Sequence, residues 1–166
     1  MKIVSVSLII TFGFVSSGPA QRISHTIESL RGIEGVMVAV EDLKPDIAGD
    51  GLSKEKIQTD VELKLRFAGI TVLDENAWLN ERGQPYLYVN INSNKNTGTG
   101  MYSFNISVVL RQNVIVARNP DVLISADTWH ADHVGYVNVK NAAGLRESIK
   151  DVVDIFINDY LAVNTK

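Results

Sequence analysis

The chain contains no cysteine. This absence excludes disulfides, thiol catalysis and thiolate metal sites, and also the acylated cysteine of a lipoprotein. A chain without disulfides depends on its hydrophobic core for stability. About 145 residues are enough for one compact domain that buries about two-thirds of its unfolded surface. We therefore expect a single domain over residues 21–166.

Hydrophobic runs long enough to cross a membrane are also missing. The longest run, Ile3 to Val15, follows Lys2 and is followed by small residues up to Ala20. It is about thirteen residues long, whereas a membrane-spanning helix needs about twenty. The order of charge, apolar run and small residues predicts a secretory signal peptide over residues 1–20, cleaved after Ala20. We expect a periplasmic or secreted protein that begins at Gln21 and has no integral membrane segment.

Basic charge is in deficit. The chain has 16 Lys and Arg against 19 Asp and Glu, and the loss of Lys2 with the signal would leave 15 − 19 = −4. The basic residues are scattered along the chain rather than clustered. Phosphate backbones and anionic membrane surfaces are therefore not expected partners, and no nucleic acid is predicted to bind.

The first half of the predicted domain has the order strand, helix, strand. An apolar run from Val36 to Val40 predicts a buried strand, and turn-forming residues predict a loop over residues 44–51. Ser53 is a favoured N-cap for a helix that runs to Ala68, and residues 70–73 form the next strand. The two strands are predicted to be parallel. The apolar stripe of this helix is predicted to contain the following residues: Ile57, Val61, Leu65 and Ala68, widened by Leu63 and Phe67.

The second half is predicted to be a meander followed by a long helix. Trp78 lies in a short helical turn that is predicted to tuck its ring inward. Alternating side chains predict a hairpin of strands over residues 86–92 and 101–116, then a strand over 122–129 that resumes after a break at 135–139. An amphipathic helix is predicted from residues 141–144 to about Val163. These elements predict a two-layer α+β fold, with one mixed, largely antiparallel sheet and two main helices on one face.

Two histidines and two aspartates lie close together in the sequence near the end of a strand. His130 and His133, with Asp127 and Asp132, have the donor types of a catalytic zinc site. On a strand, however, His130 and His133 point to opposite faces, and the same residues suit a solvated polar turn between strands. These four residues are the candidate metal ligands.

A second acidic group follows the first strand. Asp42, Asp46 and Asp50, with Glu41, suggest oxygen ligands for calcium. Their spacing is not that of an EF-hand loop, and Pro45 prevents one continuous helix from presenting them together. Turn formation and solubility are the favoured explanation for these residues.

The sheet face opposite the helices is the third candidate site. If the apolar residues of the hairpin pack under the helices, the intervening residues share the other face, which gives flat aromatic area and adaptable hydrogen bonds. An ordinary solvated face of an antiparallel sheet is the alternative. The candidate binding residues are as follows: Tyr86, Tyr88, Asn90, Asn92, Asn105 and Arg111.

Known catalytic signatures are missing from the chain. It has no Gly-x-Ser-x-Gly elbow, phosphate loop, His-Glu-x-x-His motif or dinucleotide fingerprint, so no cofactor is predicted. The glycosylation sequon at Asn105 falls within a predicted strand and is attributed to chance.

Three segments carry a resemblance to known proteins. Gly35 to Leu43, Gln58 to Ile70 and Pro85 to Asn90 resemble small exported bacterial proteins that are uncharacterised. The order of elements is similar to that of the amino-terminal domain of the Tol–Pal translocation protein and the periplasmic domain of the curli secretion channel. Fold similarity does not fix function, and no catalytic residues come with either resemblance.

The sequence thus favours a non-catalytic exported module that binds an envelope protein or an extracellular polymer. The ligand is expected on the polar sheet face or along an exposed edge strand. The alternative is a metal-dependent hydrolase that uses Asp127, His130, Asp132 and His133.

Overall fold

The computed structural model describes residues 25–164. The predicted signal peptide, residues 1–20, lies outside the described residues. The elements of the described chain are α1 (His25–Glu28), β1 (Gly35–Val40), α2 (Pro45–Gly49), α3 (Lys54–Phe67), β2 (Thr71–Val72), α4 (Glu75–Asn80), β3 (Tyr86–Asn96), β4 (Met101–Val116), β5 (Asn119–Asn138), a 3-10 helix (Val139–Gly144) and α5 (Leu145–Asn164).

The five strands form one mixed sheet in the order β2-β1-β3-β4-β5. The two strands that flank β1, namely β2 and β3, both run parallel to it. β3, β4 and β5 form an antiparallel meander. The predicted parallel crossover through α3 and the predicted hairpin are both confirmed.

The two long helices, α3 and α5, pack against each other and against one face of this sheet. Side chains that alternate along β3 and β4 point into this layer, and four of the largest are fully buried: Leu87, Tyr102, Ile106 and Leu110. Phe156 of α5 is fully buried as well. Trp129 of β5 meets the Phe156 ring edge-on, with centroids 5.2 Å apart. The predicted two-layer α+β fold is confirmed.

Local sequence explains how α3 is oriented. The Ser53 hydroxyl accepts a hydrogen bond from the Lys56 N–H at 3.3 Å, which caps the first turn. Ile57, Val61 and Leu65 are buried at intervals of four. The predicted widening of this stripe is wrong, because Leu63 and Phe67 are 43% and 87% exposed. At 3.6 residues per turn, those two side chains lie on the flank of the helix that the sheet does not cover.

Three further local predictions need correction. Residues 44–51 are not all loop, because Pro45 begins the short helix α2, where its missing N–H costs nothing. β5 continues through Gly135 without the expected break, because β4 is long enough to pair with it up to Asn138. Trp78 does not point into the helix layer. It contacts Tyr86, whose side chain lies on the opposite face of the sheet.

β4 and β5 extend past the first residue of β3 and continue there as a two-stranded ribbon. The ribbon covers residues 112–126 and is joined at Ala117 and Arg118. Ile115 and Leu123 face each other across it, and each is 63% exposed. A register shift between Leu110 and Arg111 separates the ribbon from the main sheet.

Candidate functional site

The face of the sheet that lies opposite α3 and α5 is here called the outer face. Tyr86 pairs with Arg111, Asn90 with Ser107 and Asn92 with Asn105 across β3 and β4. Since paired and alternate residues of a sheet share a face, all six predicted binding residues lie together on the outer face. The prediction that they lie on one face is therefore correct in geometry, while ligand binding by them stays a prediction.

At one end of the outer face, Arg111 lies at the centre of a group of side-chain contacts. Its Nε and Nη2 donate to Asp127 Oδ1 and Oδ2 at 2.6 and 3.3 Å, and Nη1 donates to the Tyr86 hydroxyl at 3.3 Å. Its Cζ lies 5.2 Å from the Tyr88 ring centroid and 5.9 Å from that of Tyr86. Bidentate pairing and stacking are both specific to a planar guanidinium, so lysine would not reproduce this arrangement.

The Tyr–Arg cluster consists of Tyr86, Tyr88 and Arg111 with Glu41 and Asp127. The Tyr88 hydroxyl donates to Glu41 Oε2, and this hydrogen bond, with partial burial, raises the pKa of Tyr88. Hydrogen bonds to Asp127 and Tyr86 raise the pKa of Arg111. Both shifts hold these groups protonated at neutral pH. Hydrogen bonds and ring stacking together make the cluster a rigid wall.

Trp78 of α4 extends this wall. Its ring meets Tyr86 edge-on, with centroids 6.1 Å apart and an interplanar angle of 85°. The indole Nε1 is buried without a hydrogen-bond partner among the described residues. The tryptophan thus stiffens the Tyr–Arg cluster instead of filling the core.

Next to the cluster, the outer face carries a strip of uncharged amides and hydroxyls. Only Ser103 makes a side-chain hydrogen bond within residues 25–164, to the Asn94 carbonyl at 3.4 Å. The other five side chains have free hydrogen-bonding capacity. At about 3.3 Å per residue, the strip extends about 13 Å along β3. The amide strip consists of Asn90, Asn92, Asn94, Ser103, Asn105 and Ser107.

A shallow depression of about 310 Å³ adjoins the amide strip. Asn92 and Asn105 line it together with Ser93 and Lys44. Ser93 is only 3% exposed, and its hydroxyl has no partner in the described part of the chain. Buried hydroxyls are normally paired, but Ser93 is opposite Phe104 and alternates with Asn92, so it belongs to the helix side of the sheet and not to the amide strip.

The candidate metal ligands do not converge. Because β5 is continuous, His133 lies opposite buried Ile106 and near the Phe104 ring, while His130 and Asp132 lie on the outer face. Asp127 is held by Arg111. Within residues 25–164, no three His, Asp or Glu side chains are grouped to hold a metal ion. Metal binding has no geometric support and stays a prediction, tested by elemental analysis of the purified protein and of a His130→Ala, His133→Ala variant.

The acidic residues after β1 are each used separately. Asp42 pairs with Lys54 at 2.5 Å, and Asp50 accepts from Lys95 and from the Tyr102 hydroxyl, both at 2.6 Å. Asp46 caps the N–H of its neighbour Ile47 at 2.8 Å. These contacts agree with turn formation and solubility, the explanation favoured over calcium.

A larger groove, of about 960 Å³, lies beside the ribbon. Its lining mixes apolar Val114, Ile115 and Leu123 with charged Arg31 and Glu81. The groove does not coincide with any predicted site residue. We assign no chemistry to it.

Comparison with protein families, curated proteins and solved structures finds no match to this chain. Among the described residues, every helix is too short or too polar to span a bilayer. The resemblance to exported bacterial proteins accordingly stays a prediction.

Parts of the outer face were missed by sequence reasoning. The sequence places Glu41 in the acidic group after the first strand and Trp78 in the interior, and it marks Asp127 as a candidate metal ligand. The strand alternation that identified Tyr86 and Arg111 gives no information on residues from other strands. The bulge at Thr128, which brings Asp127 opposite Arg111, has no sequence signal of its own.

Proposed function

We propose that this protein is an exported, non-catalytic module whose outer face binds a neutral polymer, with a polysaccharide as the favoured class. The observation that carries the proposal is the amide strip. Five of its side chains have unused hydrogen-bonding capacity, and they lie in register on two neighbouring strands beside a rigid aromatic wall.

The chemistry of the strip fits hydroxyl-rich ligands. Each asparagine offers both donors and acceptors, so it can pair with sugar hydroxyls in either sense. The tyrosine rings and the exposed ring of Tyr136, which is opposite Ser103, add flat apolar area at both ends of the strip. A surface of this kind gives many weak, adaptable contacts, which suits a repeating polymer.

Charge disfavours polyanions as the ligand. Arg111 is compensated by Asp127, and one further cation, Lys44, lines the depression beside the strip. Glu41 and Asp132 add negative charge around Arg111. Binding of phosphate backbones requires several uncompensated Lys or Arg residues, which this face does not offer.

The test is a pull-down of the purified protein with two neutral polysaccharides, cellulose and chitin. An Asn92→Ala, Asn105→Ala variant removes a directly opposed pair from the centre of the strip. With about 1 kcal/mol for each lost hydrogen bond, we expect binding to weaken about 10- to 100-fold. Neither side chain has a partner in the described chain, so the unfolding midpoint should barely change.

The matched control is Asn158→Ala, which removes an exposed asparagine from α5 on the other side of the molecule. It should bind like the native protein. If the native protein binds neither of these polymers, or if the double variant binds as tightly as the control, the polymer proposal is overturned.

A further inference from the structure

The free edge of β5 is the second notable surface of the molecule. β5 is 20 residues long, and among residues 25–164 only one of its edges is paired, with β4. The Val139 N–H donates to the Gly100 carbonyl at 3.0 Å. Because hydrogen bonding alternates along an antiparallel pair, this bond fixes which residues face β4. The N–H and C=O groups of the following residues point to the free edge: His130, Asp132, Val134, Tyr136 and Asn138.

The first half of this edge is protected. Pro120 has no N–H to offer, and the bulge at Thr128 interrupts the ladder. The Ser29 hydroxyl of the segment after α1 donates to the Thr128 carbonyl at 3.1 Å. At the other side of the sheet, β2 has only two residues. A proline or bulge in an edge strand and a very short edge strand are usual ways of preventing edge-to-edge association.

The second half, residues 130–138, has no such protection. It contains no proline and no lysine, and its ladder has no bulge. Val134 and Tyr136 are 71% and 78% exposed. Within residues 25–164, no hydrogen bond reaches the edge-facing backbone groups of this segment. An open, partly apolar edge of this length is a template for another strand.

We propose that two copies of this chain pair antiparallel along residues 130–138, about a two-fold axis at Val134. In this register, Val134 meets Val134 of the second copy, and Asp132 lies opposite Tyr136 of the second copy. The phenol can donate to the carboxylate, and symmetry repeats this pair. Two five-stranded sheets become one sheet of ten strands.

Charge selects this register. A shift that centres the axis on Asp132 would bring two carboxylates directly opposite each other, which is destabilising. With the axis at Val134, His133 on the helix side lies opposite Gly135 of the second copy, which adds no side chain of its own to the seam, and the Phe104 ring lies over that glycine. Ala131 and Val137, which are partly buried at the rim of the core, also face each other across the seam.

A second copy is favoured over an unrelated strand because one isologous contact covers both open edges at once. The dimer would also join the outer faces of the two copies. Two amide strips on one surface would then bind a repeating polymer with higher avidity.

The test uses the natural absence of cysteine. In a Val134→Cys variant, the two thiols would lie on Cα atoms about 5.5 Å apart, within the range for a disulfide. We expect a covalent dimer under mild oxidation. In the control variant, Asp132→Cys, each new thiol would be about 13 Å along the strands from its symmetry mate. That variant should stay largely uncrosslinked.

Sedimentation of the native protein should give twice the monomer mass at micromolar concentration. Val134→Pro removes an edge-facing N–H without touching the β4 ladder, so the dissociation constant should rise about 100-fold. A native protein that is monomeric at about 1 mM overturns the proposal. Equal crosslinking of the two cysteine variants overturns it as well. If Val134→Pro folds, polymer binding by this monomeric variant separates the dimer test from that of the proposed function. If it fails to fold, the cysteine pair still decides the dimer proposal.

Discussion

The two faces of the sheet use their side chains in opposite ways. On the helix side, Leu87, Ile106 and Leu110 are fully buried and fit a closed core. On the outer face, Asn90, Asn105 and neighbouring side chains keep hydrogen-bonding capacity that the described chain does not use. The first face stabilises the fold, whereas the second can change without much cost to stability. A function based on the sheet should therefore lie on the outer face.

The largest expected effect is on the helix side. Leu110→Ala removes a fully buried side chain and leaves a cavity between β4 and the helices. We expect the free energy of unfolding to fall by about 2–5 kcal/mol. Urea denaturation measures it, and the m-value should be unchanged. Ser107→Ala, on the outer face of the same strand, should change stability by less than about 0.5 kcal/mol. Equal losses of stability in the two variants would contradict the proposed difference in stability contribution between the two faces.

A smaller effect is expected where the core reaches the edge strand. A Cβ added at Gly135 would lie 2.8 Å from Phe104 Cζ, so the ring would have to move. We expect Gly135→Ala to destabilise by about 1–3 kcal/mol, which is typical of overpacking. The thermal midpoint should fall accordingly. Asn105→Ala, on the outer face of the neighbouring strand, is the control, and a Gly135→Ala protein as stable as this control would show that Phe104 is free to move.

The sheet and its faces could be predicted from the sequence because successive side chains of a strand point to opposite faces. The alternation of Leu87 and Tyr88 assigned both side chains correctly to their faces. The long stripe of α3 was also predictable for Ile57, Val61 and Leu65, since their spacing of four marks one helix face. Local pattern therefore gave the layers of the fold.

The contacts that build the candidate site could not be predicted in the same way. Glu41 and Trp78 reach Tyr88 and Tyr86 only because β1 and α4 lie beside β3 in the folded sheet. The continuity of β5 past Gly135 depends on pairing with β4, a tertiary effect that overrides local signals. That continuity separates His130 from His133 and removes the geometric basis of the metal hypothesis.

A pH-dependent effect is expected from the helix side, where Asp50 accepts hydrogen bonds from Lys95 and Tyr102. These bonds lower the pKa of Asp50 in the folded protein. Its contribution to stability is therefore present above the ordinary aspartate pKa of about 4 and is lost as the pH falls through the lowered value. Asp50→Asn should lose stability at neutral pH and show a flatter acid limb of stability against pH. Asp121→Asn, with the same charge change on the ribbon, should follow the native curve.

The smallest expected effect concerns Phe67, which local pattern assigned to the buried stripe of α3. It is 87% exposed at the end of the helix. Serine and phenylalanine have similar helix propensities, so Phe67→Ser exchanges one exposed side chain for another. We expect a change of less than about 0.5 kcal/mol in urea denaturation. Phe156→Ala, in the core, should cost about 3–5 kcal/mol in the same assay. A loss of more than about 1 kcal/mol for Phe67→Ser would mean that this ring is covered in solution. The exposed side of α3 would then be a contact surface.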